Sequence, residues 1–404
     1  MPTVKFHTLG CKVNQYDTQS IRERFFARGF KEARKAQKSD VYLINTCTVT
    51  AIADQKSRGI IRRCINENPQ AKVIVTGCMV KNDSKELAGI SGVSFIISKS
   101  FFSEGISDFS SHTRAFLKIQ DGCDNFCSYC KVPLARGRSR SRGLADVVKE
   151  ARTLVEKGFK EIVLTGICLG SYGKDLDKGI DLVTVITELE KIKGLLRIRL
   201  SSIEAGDVNR ALINKMARSG KLCPHLHIPI QSGDDEILKK MRRKYSRKFY
   251  IGLIRRIKAK IPQVAITTDC LVGFPRENEK HFKNTLDLIN RIIPLKVHIF
   301  PYSARKGTGA YSGAAISFAS EEAVKKRIVI LKSAANSCSV KYKKSFLGQK
   351  AQVLFECKSK EKKGYWEGYS SNYIKVLFKS RCNLRNKLIS VRLKSLFGET
   401  VLAS

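Results

Sequence analysis

Cys123, Cys127 and Cys130 lie in the run DGCDNFCSYC with the spacing C-x3-C-x2-C. That spacing places three thiols on one tight loop. Iron–sulfur clusters are held by cysteine thiolates, and a cubane normally takes four. A loop that supplies three, with no fourth nearby, leaves one iron open. An open iron can chelate the amino and carboxylate groups of S-adenosylmethionine and pass an electron to its sulfonium. The carbon–sulfur bond then breaks to a 5′-deoxyadenosyl radical, a reaction whose difficulty the cofactor carries. Zinc is the main rival, but a zinc site wants four protein ligands and tends to use paired C-x2-C or C/H spacings, which are absent here.

A second trio is dispersed. Cys11, Cys47 and Cys78 each follow a short apolar run by a residue or a few: the run that opens at Val4, VYLIN (41–45) and KVIVTG (72–77). With SFIIS (94–98) and helical spacing at 14–30 and up to about residue 66, the first hundred residues alternate strand and helix. Such alternation implies a doubly wound parallel sheet. The carboxyl ends of its strands share one edge, where ligands bind. Topology therefore allows the three cysteines to meet in one cleft; on spacing alone, chance placement is as good a reading.

A second strand–helix series follows. AFLKIQ (115–120), EIVLTG (161–166), LRIRLS (196–201), HLHIPI (225–230), AITTD (265–269) and VHIF (297–300) read as strands, separated by amphipathic helices such as 144–157, 182–191 and 277–293. Six such units suggest a parallel barrel or partial barrel with its chemistry at the carboxyl ends of the strands. The cysteine loop sits just after the first of them. Past a helical connector at 321–344, the pattern turns to short β runs, AQVLFE, GYWEGYS, YIKVLF and LISVRL, which make a small β-barrel. The expected domains are 1–108, 109–340 and 341–404, an ordinary division for 404 residues.

Seventy-five Lys+Arg against 36 Asp+Glu give a net charge of +39, and residues 341–404 alone carry 15 against four. A surface of this kind attracts polyanions, with an affinity that falls steeply with salt. A small basic β-barrel suits a nucleic-acid module; a solvated structural cap is the plain alternative. Thirteen cysteines without a secretion signal point to metal binding or catalysis rather than disulfides. No run of eighteen apolar residues argues for a membrane span. A cytoplasmic protein is expected, with Cys64, Cys223, Cys270, Cys338, Cys357 and Cys382 as buried or incidental thiols.

FHTLGCKVNQYD (6–17), NTCTVT (45–50), KIQDGCDNFCSYC (118–130) and VPLARGRSRSR (132–142), supported by RLSSIE (199–204), HLHIPIQSG (225–233) and TTDCLVGFP (267–275), resemble the radical S-adenosylmethionine methylthiotransferases over nearly the whole chain. The resemblance implies an α/β fold in three parts: the N-terminal sheet, a central radical SAM partial (β/α)6 barrel, and a C-terminal β-barrel like the TRAM domain. It implies two [4Fe–4S] clusters, one on Cys123, Cys127 and Cys130, the other an auxiliary cluster on Cys11, Cys47 and Cys78 that handles the inserted sulfur. S-adenosylmethionine would be both radical source and methyl donor. The subgroup it looks most like methylthiolates C2 of N6-threonylcarbamoyladenosine at position 37, beside the tRNA anticodon. Sister enzymes act on N6-isopentenyladenosine in tRNA or on a ribosomal-protein aspartate; a catalytically idle RNA-binding iron–sulfur protein is the reading from another class. The implied partners are the anticodon stem-loop and an electron donor such as flavodoxin or ferredoxin, with the chain acting as a monomer away from membranes.

By the same analogy, Phe126 and Tyr129 shield the cluster or touch the cofactor's adenine, and Ser202, Glu204 and Gln231 stand at strand ends where family members bind S-adenosylmethionine. Ordinary strand-end polarity explains those three nearly as well. Arg136, Arg138, Arg140 and Arg142 form an alternating basic stretch suited to RNA phosphates, or else a solvated loop. His225 and His227 read as barrel lining, and Asp269 as either a substrate neighbour or a strand cap. Two residues depart from the subgroup pattern: Cys168 replaces a usual histidine and Arg276 a usual glycine. No catalytic residue is assigned beyond the cluster ligands.

Overall fold

The computed structural model describes residues 1–34, 36–98, 105–109, 112–177, 179–311 and 319–404. Strands β1 (Thr3–Thr8), β2 (Lys31–Glu32), β3 (Val41–Thr46), β4 (Lys72–Gly77) and β5 (Val93–Ile96) form a parallel sheet in the order β2-β1-β3-β4-β5. The central strand β3 is buried at every position, because helices cover both faces; hence its apolar run from Val41 to Ile44. Successive side chains point to opposite faces. Tyr42 and Ile44 pack with Ile61 of α2 (Ala51–Glu67), while Leu43 packs with Ile21 of α1 (Lys12–Ala27). The sheet is doubly wound, and α3 (Val80–Ala88) completes it.

The second unit opens with β6 (Ala115–Lys118). A two-stranded antiparallel pair, β7 (Gln120–Asp121) and β8 (Arg140–Ser141), closes the base of the cysteine loop, with α4 (Val132–Arg136) inside it. Strands β9 (Glu161–Thr165), β10 (Arg197–Leu200), β11 (His225–His227), β12 (Ala265–Val272) and β13 (Lys296–Pro301) follow. They pair in parallel as β10-β9-β6 and β11-β12-β13, and bridges from Ile198 to Leu222 and Ser202 to His227 join the halves into one open arc. Helices such as α5 (Leu144–Glu156) cover its outside and bury the largest apolar cluster among the described residues. All six expected strands and the arc are present.

A long helix, 321–344, leads to a closed barrel of β14 (Lys350–Lys358), β15 (Tyr365–Ser370), β16 (Lys375–Lys379), β17 (Leu388–Phe397) and β18 (Thr400–Ala403). The sequence pattern picks out four of these strands; β18 is too short to show a period, yet it closes the barrel by pairing with both β16 and β17.

The barrel docks on the arc through charge. The carboxylate of Glu161, fully buried on β9, accepts from Arg199 Nε at 2.6 Å and faces Arg197 at 3.5 Å and Arg114 at 3.9 Å. Arg114 also pairs with Glu356 of β14 at 2.6 Å. Arg197 and Arg199 share one face of β10 and donate to the barrel carbonyls of Gln352, Tyr369, Ser370 and Ser371. Burial alone would raise the Glu161 carboxyl, but Arg199 and Arg114 outweigh it and hold it at about 2. A depressed folded pKa stabilises the fold above the ordinary carboxylate range, and that contribution is lost as pH falls towards 2. Glu161→Gln leaves buried guanidinium groups uncompensated and should cost about 3–5 kcal/mol of unfolding free energy at pH 7, measured by urea denaturation; the gap from the parent should narrow as pH is lowered below about 4.

Candidate active site

Cys11, Cys47 and Cys78 follow β1, β3 and β4, neighbours in the sheet, so the three reach the same carboxyl edge. Cys47 and Cys78 are buried and Cys11 is exposed. Gly10 adopts φ 97°, and a Cβ there would come 3.1 Å from Cys47 Sγ, so the loop after β1 closes on Cys47 only because the residue is glycine. Asn14, in the first turn of α1, donates to the carbonyls of Leu9 (2.6 Å) and Thr46 (3.0 Å), and its Oδ1 accepts from the Cys78 thiol at 3.8 Å. One amide thus ties together the loops carrying all three cysteines.

The second trio lies on the loop between β7 and α4. Gly122 has φ 74°, and a Cβ would sit 1.8 Å from the Arg138 carbonyl oxygen, so no other residue fits. The Cys123 amide donates to Gly137 and the Cys130 amide to Cys127. Phe126 takes φ 46° and lies under the Arg138 guanidinium, 5.1 Å from its ring centre. Left-handed residues other than glycine are strained and concentrate at functional sites; Gln231, at φ 66°, is another. Tyr129 packs with Leu271 and Tyr302 against Met241 and Phe274, pinning the loop to the arc. Burial pushes the Cys130 thiol up to about 11.

The departures have local answers. Cys168 is buried, with Ser171 Oγ 3.1 Å from its sulfur and its thiol donating to Asp207 Oδ2 at 3.8 Å; its interaction with Cys123 holds the Cys123 thiol down and pushes Cys168 up. Asn125 Nδ2 also donates to its sulfur at 3.5 Å. The replacement of histidine therefore falls at the cysteine loop itself. Arg276 is exposed at φ 65°, a left-handed turn that glycine adopts freely.

Among the described residues, the one group of three ligands with donor atoms within 4.8 Å of one another is His227, Asp269 and His298. Neither cysteine trio gathers its sulfurs that tightly. A zinc ion, with Zn–S bonds of about 2.3 Å, would require it, whereas a cubane takes each thiolate on a different iron. Both donor sets fit a polynuclear cluster better than a single ion.

Beside Cys127 lies a cavity of about 200 Å³ lined by Asn125, Glu204, Asp207, Arg243 and Tyr245. Arg243 donates to both carboxylate oxygens of Glu204 (3.0 and 2.5 Å) and approaches Cys127 Sγ at 3.5 Å. Burial raises the Glu204 carboxyl despite that partner. A carboxylate and a guanidinium side by side complement the amino and carboxylate ends of an amino acid. Arg243 sits in an unremarkable basic run, MRRKYS, and pairs with a residue 39 positions upstream; no local signal marks it.

Ser202 bridges β10 to β11, and the Gln231 amide donates to the Asp269 carbonyl at 2.8 Å. Asp269 lies within β12 rather than capping it, and its carboxylate meets His227 Nε2 at 3.2 Å. The four arginines divide. Arg136, its side chain 2% exposed, pairs with Asp121 and Asp17 at 2.6 and 3.3 Å and donates to Asn14 Oδ1 at 2.5 Å. Arg142 pairs with Glu150 at 2.7 Å and donates to the Tyr16 hydroxyl and the Lys118 carbonyl. Both lock α1 to the arc, so neither offers its charge to a phosphate. Arg138 and Arg140 face solvent.

Residues 117–289 match the Radical SAM superfamily model, and residues 3–98 the uncharacterized protein family UPF0004. The chain is 38% identical to threonylcarbamoyladenosine tRNA methylthiotransferase MtaB of Bacillus subtilis, over 97% of this chain and 94% of that one. It is 36% identical to the protein of the same name from Thermotoga maritima, over 100% and 97%, and 34% identical to a tRNA-2-methylthio-N(6)-dimethylallyladenosine synthase of Clostridium tetani, over 99% and 96%. Among solved structures, the radical S-adenosylmethionine methyltransferase TsrM of Kitasatospora setae superposes with a TM-score of 0.58 over 76% of each chain at 13% identity, a likeness of fold. With its cysteine loop at the mouth of a parallel arc and its relatives matched end to end, the protein belongs to the radical S-adenosylmethionine methylthiotransferases.

Proposed function

We propose that the protein inserts a methylthio group at C2 of N6-threonylcarbamoyladenosine at position 37 of tRNA, in the cytoplasm, as a monomer supplied with electrons by a flavodoxin or ferredoxin. The observation that carries this reading is the junction of the two cysteine sites: α4, which leaves the C-x3-C-x2-C loop, ends in Arg136, and Arg136 touches the same Asn14 that ties Cys11, Cys47 and Cys78. Radical source and sulfur source would thus share one cleft. The names of the relatives matched over full length favour the threonylcarbamoyl substrate.

Cys123, Cys127 and Cys130 would hold one [4Fe–4S] cluster and Cys11, Cys47 and Cys78 the auxiliary one. When bound, the two clusters supply reductive cleavage of S-adenosylmethionine and the sulfur to be inserted. The residues do the positioning. Glu204 and Arg243 orient the amino-acid end of S-adenosylmethionine beside Cys127, with Ser202 and Gln231 shaping the same strand ends. Tyr129 fixes the loop, while Phe126 holds its outer turn. Arg138 and Arg140 meet RNA phosphates at the mouth, and the basic C-terminal barrel holds the stem-loop.

Nucleoside mass spectrometry of tRNA from a deletion strain should show loss of the methylthio group from threonylcarbamoyladenosine, restored on complementation. If only the isopentenyl nucleoside changed, the substrate would be wrong. Anaerobic reconstitution should load about eight irons per chain, and the combined Cys11→Ala, Cys47→Ala, Cys78→Ala variant about four; a full load in that variant rejects the auxiliary site. Arg138→Ala with Arg140→Ala should lower the slope of log affinity against log salt for the stem-loop by about two.

A further inference from the structure

Strands β11, β12 and β13 gather three metal-ligating side chains outside the two cysteine sites. Their parallel register sets His227 beside Thr267 and Asp269 beside His298. Thr267 and Asp269 are two residues apart on β12, so their side chains share one face of the strand. His227 Nε2 stands 3.2 Å from Asp269 Oδ2, and the ring centre of His298 lies 5.7 Å from that of His227. One donor atom from each of His227, Asp269 and His298 falls within 4.8 Å of the other two. The side chains of His227 and Asp269 are 15% and 25% exposed, so the cluster is sheltered yet open to an entering ion.

The hydrogen bonds behind the cluster orient it. His225 is buried, and its Nδ1 has no partner, so a neutral ring keeps its single proton on Nε2 and donates to the Thr267 hydroxyl at 3.1 Å. A hydroxyl oxygen has a second lone pair, and His227 Nδ1 stands 2.9 Å from it. With Nδ1–H donating there, His227 turns a bare Nε2 towards the Asp269 carboxylate. Two acceptors 3.2 Å apart repel unless a cation lies between them. Were the hydroxyl to donate to His227 instead, Nε2–H would bridge to Asp269 and His298 would have no part in the cluster. A proton bridges two atoms, whereas a metal ion gathers three or more.

We infer that His227, Asp269 and His298 form a site for a divalent first-row transition-metal ion, distinct from both iron–sulfur clusters. Donors bound to one ion at about 2.1 Å stand about 3–3.4 Å apart, the separation already present between His227 and Asp269. Two imidazoles and one carboxylate suit zinc, cobalt(II) or iron(II). Lys296 and Lys12 lie within electrostatic reach of His298, which disfavours magnesium or calcium, ions held mainly by carboxylate charge. Thr267 is the outer partner that fixes the ring of His227, as metal-bound histidines require. Three protein ligands leave coordination positions open, where an ion takes a water or an anionic oxygen.

The test is anaerobic equilibrium dialysis of the full-length reconstituted protein against micromolar cobalt(II) or zinc(II), with metal content read by mass spectrometry. The readout is the difference between wild type and variant, so ions captured by thiols elsewhere cancel. The wild type should retain about one equivalent per chain more than Asp269→Asn, and the same excess over His298→Ala. Retention of only one of the two metals supports the site and names its preference. Equal content of both metals in wild type and His298→Ala overturns the site, and so does a loss confined to Asp269→Asn, because the third ligand is what separates an ion from a proton. Iron content and melting curves matching the wild type show that a variant is folded. Should Asp269→Asn fail that check, His298→Ala, on the outer strand β13, decides alone.

Discussion

The guanidinium of Arg136 sits where the two cysteine-bearing regions approach, almost wholly removed from solvent. A charge in that position has to be met on every side. Asp121 meets it from the base of the cysteine loop, Asp17 from α1, and Asn14 supplies a neutral acceptor that also gathers the sheet-edge loops. Removing one partner of such a group leaves a buried charge uncompensated, at a cost of several kcal/mol. The position of α4, the shape of the C-x3-C-x2-C loop and the edge formed by β1, β3 and β4 are therefore parts of a single geometric solution. Arg136 also lies within electrostatic reach of Cys78 and Cys11.

The same device recurs at each seam. Glu161 and its arginines hold the C-terminal barrel on the arc. Arg305 pairs with Asp54 and donates to Thr48, binding the segment after β13 to the loop that carries Cys47. Arg142, Glu150 and Tyr16 close a third contact. Apolar packing stabilises each part, and directional ion pairs set the parts relative to one another. Part of the chain's positive charge is consequently internal. The exposed remainder includes Arg138, Arg140 and lysines of the barrel such as Lys350, Lys358 and Lys360.

Fold class was legible because its signals are local. The run VYLI is apolar throughout since β3 is covered on both faces, and the helix of 321–344 shows at its full extent from its helical pattern. The short β18 was hidden, as four residues carry no period. Within the site, the cysteines stood out by type and spacing. Arg136 and Arg142 misled, because an alternating run of arginines looks the same whether its charges face water or, as here, Asp17 and the Tyr16 hydroxyl more than a hundred residues away.

What the sequence determined by itself was the chemistry at hand: three thiols on one loop, three more at strand ends, and a chain whose motifs place it among enzymes that use them. These follow from residue type and short-range spacing, which survive without a fold. Only the tertiary structure decided which charges are spent inside, that Glu204 owns Arg243, and that Asn125 of the cysteine loop donates to Cys168. Each of those facts is a pairing between side chains distant in sequence, and a buried charge finds its partner only when the chain has closed around it.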